Sequence, residues 1–300
     1  MALRIITAEE RLGETRGIKA CIFGKSGIGK TSLLWSLDLA STLFIDLEAG
    51  DLAVQNWVGT SIRPRTWEEC RDLALFLAGP NPALRDEQPY SAAQYARVIQ
   101  EYGDPSRMVQ FQTLFIDSIT VAGRLCFQWC RGQPEAFAER TGKPDVRGAY
   151  GLHGREMIAW LTHLQHARAR NVVFVGILDE RLDDFGKKVF SPQIDGSKTG
   201  LELPGIVDQV ITMAEITLEA PTGQKPQPAA RWLVCQTINP WGFPAKDRSG
   251  RLAILEPPHL GRLFEEINSP ARPIAERLAL PAPPLAEAPS SPTPITVPNT

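Results

Sequence analysis

The stretch GKSGIGKTS, residues 24–32, leaves a chain few choices. It follows IKACIFG (18–24), an apolar and β-branched run of strand character. It leads into TSLLWSLDLA, where Leu33, Leu34, Leu37 and Leu39 recur at helical spacing. Gly24, Gly29, Lys30 and Thr31 fit the pattern G-x-x-x-x-G-K-[ST]. In that pattern the glycines let backbone N–H groups curl around a β-phosphate, the lysine reaches the β/γ oxygens, and the hydroxyl ligates magnesium. A strand before and a helix after place the phosphates at a helix N-terminus. The expected nucleotide contacts are therefore Gly24, Lys25, Ser26, Gly27, Ile28, Gly29, Lys30, Thr31 and Ser32. The expected cofactors are ATP and Mg²⁺.

Such a loop needs a second acid at the end of a buried strand to hold the magnesium. Asp117 in TLFIDS fits, so Thr31 and Asp117 form the expected metal pair. Further apolar runs recur as STLFIDLEAGD (41–51), NVVFVGIL, QVITMAEITL and RWLVCQTI. Between them TWEECRDLALFLAG opens with a Thr66/Glu69 capping box, SAAQYARVIQEYG with Ser91 as cap, and residues 150–170 carry a helical apolar face. Alternating strands and helices predict an α/β fold with a central, mostly parallel, twisted sheet flanked by helices. QVITMAEITL and RWLVCQTI, joined by the turn-rich EAPTGQKPQPAA, predict a C-terminal antiparallel hairpin extension.

Nine of the 25 prolines fall from Pro270 onward. The expected division is an N-terminal extension at 1–17, an ATPase core at 18–267 and a disordered proline-rich tail at 268–300. Five scattered cysteines and the charges in MALRIITAEERLGETRG point to a reducing, cytoplasmic compartment with no secretion signal. No stretch approaches the length of a membrane span. A net charge of −2 excludes a global field for nucleic acid, so any such binding must come from local patches. His153, His163 and His166 read as helix-face residues rather than a metal site.

TLFIDLEAGD resembles the strand that, in RecA-type ATPases, ends in the catalytic glutamate; Glu48 is the matching position, with Asp46 as the rival acid. AKDRSG (245–250) is similar to the K-x-R-x-G signature of DnaB-type helicases and RadA, which implies that Lys246 and Arg248 reach a neighbouring subunit's active site. The resemblance thus gives Glu48, Lys30, Lys246 and Arg248 as catalytic residues. Over 18–267 the order of these motifs resembles RecA-core-only bacteriophage ATPases of recombination and single-strand annealing. It implies single-stranded DNA, a head-to-tail second copy and a single-strand DNA-binding protein as partners, in a bacterial host's cytoplasm. The chain departs from RecA in NVVFVGILDER, where Ile177 stands near RecA's coupling glutamine, with Asp179 and Glu180 beyond.

In RecA-type cores the loops after the third and fourth strands bind single strands. The matching regions, about 131–155 and 181–204, hold Arg140, Lys143, Arg147, Lys187, Lys188 and Lys198 among aromatics, diluted by acids such as Glu135 and Asp183. Two rivals stand beside this reading. One is a DnaB-like helicase motor, the other a switch or assembly ATPase without nucleic acid.

Overall fold

Strand residues that are apolar on both sides form the middle of this molecule, and that pattern dictates a sheet covered on both faces. The computed structural model describes residues 5–218 and 228–270. The connection expected at 219–230 therefore lies mostly outside the described residues, as does the expected tail at 268–300 from Ala271 onward.

A short exposed helix α1 (Ala8–Gly13) comes first, then β1 (Lys19–Gly24), β2 (Thr42–Asp46), β3 (Thr60–Ile62), α2 (Trp67–Ala78) and α3 (Ala92–Tyr102). Next are β4 (Thr113–Asp117), α4 (Ile119–Cys130), α5 (Val146–Gln165), β5 (Asn171–Leu182), β6 (Lys188–Pro192) and α6 (Ser197–Ile206). The chain continues with β7 (Gln209–Ile216), β8 (Ala230–Val234), β9 (Lys246–Asp247), β10 (Leu255–Glu256) and α7 (Leu260–Asn268). The sheet order is β10-β8-β7-β1-β5-β4-β2-β3. From β7 to β3 every pair is parallel, while β8, β9 and β10 add antiparallel strands and β6 folds back on β5. The α/β architecture and the antiparallel C-terminal strands are as expected.

The pleat of β1 sorts its side chains between two cores. Cys21 and Phe23 join the face packed by α2, α4 and α5. Ala20 and Ile22 join the other face, with Leu33, Leu34 and α7 residues Leu260, Leu263 and Phe264. The capping box at Thr66/Glu69 and the Ser91 cap form as the sequence predicts. Both lock helices that bury one face on the first core.

Three differences matter for the site. The run after the phosphate loop is a 3-10 helix over Thr31–Ser36 rather than a longer α-helix. Only eleven residues separate Lys30 from β2, and they must cross the whole depth of the sheet; 3-10 geometry rises about 2.0 Å per residue against about 1.5 Å for an α-helix. TLFIDSIT is strand only to Asp117, because Ser118 caps α4 by accepting from the Val121 amide. Finally, β5 outruns the parallel sheet: its last five residues, Leu178–Leu182, pair with β6 and continue as a hairpin.

Candidate nucleotide site

The register aligns the carboxyl ends of four strands. Asp46 on β2 lies opposite Asp117 on β4, Asp117 opposite Val175 on β5, and Gly24 on β1 opposite Ile177. In open α/β sheets ligands bind in the crevice outside these ends. The phosphate loop leaves β1 at this edge. Gly24 is required by a close approach, since a Cβ there would lie 2.6 Å from the Met213 carbonyl oxygen. Gly29 sits at φ +101°, a conformation that favours glycine. Lys30 is buried, and its Nζ donates to the Gly24 carbonyl at 3.0 Å and the Lys25 carbonyl at 2.9 Å. The ammonium therefore spans the cradle that its own loop forms.

The expected metal pair is in contact: Thr31 Oγ1 donates to Asp117 Oδ2 at 2.5 Å. A hydroxyl and a carboxylate meeting at the mouth of an amide cradle are the donors a magnesium nucleotide needs, so the residues fit both groups. Magnesium held there would supply charge neutralisation on the phosphate oxygens. Glu48 lies two residues beyond the end of β2. Its Oε1 accepts from the Ser118 hydroxyl, and the Leu47 amide donates to the Asp117 carbonyl at 2.7 Å. These two bonds hold the Glu48 corner against Asp117 and Ser118. Asp46 is placed differently. It is 2% exposed and ion-paired to Arg63 Nε at 3.2 Å, and Arg63 also bonds Asp51.

Burial dominates the electrostatics. It pushes Asp117 up from 3.8 to about 6; the Thr31 hydroxyl pulls it down, Glu48 adds to the rise, and Lys30 opposes it. Burial also lowers the Lys30 ammonium, while Asp117 and Glu48 raise it. The folded pKa of Asp117 lies above its unfolded value, so between pH 4 and 6 the folded chain holds the extra proton. Stability from this group is thus present at low pH and lost as pH rises through about 6. Asp117→Asn keeps an acceptor for Thr31 without the charge. In EDTA at pH 8 it is expected to raise the melting temperature by several degrees, from a contribution of order 2 kcal/mol. Scanning calorimetry should show that gain shrinking to nothing by pH 4; a gain that does not depend on pH would contradict the assignment.

The remaining predicted residues fall into two groups. Lys246 and Arg248 lie on and just after β9, which pairs with the first residues of β7, the sheet edge away from the phosphate loop. Lys246 Nζ donates to the carbonyls of Pro204 and Val207, and Arg248 Nη1 pairs with Asp208 at 3.0 Å. Arg140, Lys143 and Arg147 are exposed on the connection from α4 into α5, and Lys187 and Lys188 on the β5–β6 hairpin. Of Lys198 only the backbone, in the first turn of α6, is described. Among the described residues Arg140, Lys143, Arg147 and Lys187 have no ion-pair partner, whereas Lys188 pairs with Glu180 at 2.6 Å. Phe185 at the hairpin tip is 95% exposed.

Sequence reasoning missed four residues. Ser118 follows directly on Asp117, so its place beside that acid is readable from the sequence. Arg63, Glu180 and Arg231 are brought in by the sheet. Glu180 pairs with Lys25 of the phosphate loop at 3.2 Å, and Arg231 on β8 donates from Nη1 to the Ile28 carbonyl at 3.3 Å. No local spacing marks any of these three.

A family model described as an AAA domain matches residues 16–249. Among solved structures, a prototypical ATPase from the type III secretion system of pathogenic bacteria is similar at TM-score 0.36 and 15% identity. The match covers 66% of this chain and 52% of that one, so the chain spans about half of the secretion ATPase. A RadB recombinase is similar at TM-score 0.31 and 12% identity, over 74% of this chain and 89% of the recombinase. No curated protein matches the chain. With the phosphate loop in place and a family model covering most of the described residues, this chain belongs to the AAA domain family of P-loop ATPases.

Proposed function

We propose that the chain hydrolyses ATP with magnesium, with Glu48 as the base that activates water, and acts on single-stranded DNA as a head-to-tail oligomer in phage recombination or replication. The observation that supports it most is the meeting of Thr31 with Asp117 beside Glu48, at the edge from which β5 runs out into a hairpin carrying Lys187, Lys188 and Phe185. Cations beside an exposed aromatic suit phosphate contact plus base stacking. The α4–α5 connection adds Arg140, Lys143 and Arg147, and Lys198 completes the proposed strand-binding set. Lys246 and Arg248 sit at the edge away from their own phosphate loop, which favours a role toward a neighbouring copy. There they would neutralise charge on the transferred phosphoryl group. The core at 18–267 does this work, with the N-terminal extension and proline-rich tail outside it. A single-strand DNA-binding protein is a further proposed partner.

The test is fluorescence anisotropy of a labelled single strand across a salt series, with and without a non-hydrolysable ATP analogue, paired with light scattering for assembly size. Binding is expected to tighten with nucleotide, to weaken steeply with salt and to coincide with assembly. An absent or salt-independent signal would remove DNA from the reading. The net charge of −2 then favours a switch or assembly ATPase.

A further inference from the structure

Three cations touch the phosphate loop, and two of them are already committed. Lys30 is buried and gives its ammonium to the Gly24 and Lys25 carbonyls. Lys25 is paired with Glu180 at 3.2 Å, a carboxylate it shares with Lys188. The third is Arg231, which β8 brings across from more than two hundred residues away in sequence. It stands opposite Glu215 in the β7–β8 register, yet among the described residues it has no carboxylate partner. Among the described residues its one side-chain hydrogen bond, 3.3 Å from Nη1 to the Ile28 carbonyl, leaves most of an exposed guanidinium unused.

Its position is close to the cradle itself. A Cβ built on Gly29 would lie 2.4 Å from Arg231 Nη1, so the guanidinium occupies the space where any other residue would carry a side chain. Ile28 and Gly29 belong to the stretch whose amides wrap a bound phosphate. A di- or triphosphate brings more negative charge than Lys30 alone can balance. The planar fork of arginine suits two phosphate oxygens at once. Being exposed, the side chain can rotate from the Ile28 carbonyl toward the cradle without breaking a packed contact.

We infer that Arg231 is a second phosphate-binding cation of the nucleotide site, supplied by β8 of the same chain and contacting a phosphate common to ADP and ATP. This rests on the phosphate-loop reading, and the experiment is chosen to separate the two. Calorimetric titration of ADP and of a non-hydrolysable ATP analogue with magnesium is run on wild type, Arg231→Ala, Arg231→Lys and Lys30→Ala. Arg231→Ala is expected to weaken both nucleotides about ten-fold, the size of one charged hydrogen bond. It should also flatten the salt dependence of affinity, which a merely structural role would leave unchanged. Arg231→Lys should recover part of the loss, and the apo melting temperature of both arginine variants should match wild type. If Lys30→Ala abolishes binding while Arg231→Ala stays within two-fold for ADP, the Arg231 assignment fails alone. A loss in Arg231→Ala with unaltered salt dependence overturns it too. If Lys30→Ala leaves affinity intact, the phosphate-loop reading itself has failed.

Discussion

Glu48→Gln is expected to bind ATP as tightly as wild type and to cut it at least about 100-fold more slowly, the usual range for loss of a general base being 10²–10⁴. The substitution keeps size and leaves an oxygen for the Ser118 hydroxyl, so the corner at the end of β2 should stay in place. What it removes is a carboxylate able to take a proton from water. Of the acids Asp46, Glu48 and Asp117 at the ends of β2 and β4, Glu48 is the exposed one. Asp117 accepts from the Thr31 hydroxyl, and Asp46 is buried and ion-paired to Arg63. Phosphate release in single-turnover conditions, beside equilibrium binding of a fluorescent ATP analogue, separates the two effects. Equal turnover in the variant would take Glu48 out of the mechanism and leave water activation to a residue outside the aligned strand ends.

The phosphate-loop geometry and the meeting of Thr31 with Asp117 were legible in the sequence because their parts are local. Eight consecutive positions around Lys30 specify the loop, and an acid at the end of an apolar run specifies Asp117. The capping box at Thr66 and the Ser91 cap were legible for the same reason: a cap is set by residues three apart. What the sequence did not carry is what the sheet assembles. Placing β8 beside β7, and β7 beside β1, sets Arg231 against Gly29. The extension of β5 past its parallel partners sets Glu180 against Lys25. The 3-10 turn after Thr31 also escaped, since leucine spacing cannot separate 3.0 from 3.6 residues per turn over two turns. The short strands β9 and β10 have too few residues to show a period at all.

Lys30→Ala is expected to raise the dissociation constant for ATP and ADP by at least about 100-fold and to abolish hydrolysis. Each charged hydrogen bond to a phosphate contributes about 1.5–3 kcal/mol, and Lys30 is placed to make contacts of this kind to the β- and γ-phosphates. Its present bonds to the Gly24 and Lys25 carbonyls show a side chain already extended along the cradle, so little ordering remains to be done when nucleotide arrives. Burial disfavours the ammonium, and a polyphosphate alongside would reverse that by restoring a compensating charge. The variant loses this exchange. It also removes the buried apolar stem along with the donor to the two carbonyls, so a control that loses the donor alone is needed. Lys30→Met keeps most of the apolar stem and should melt close to wild type while binding nucleotide as poorly as the alanine. Should Lys30→Met be folded and still bind ATP within a few-fold of wild type, the amide cradle would not be where this chain holds its phosphates.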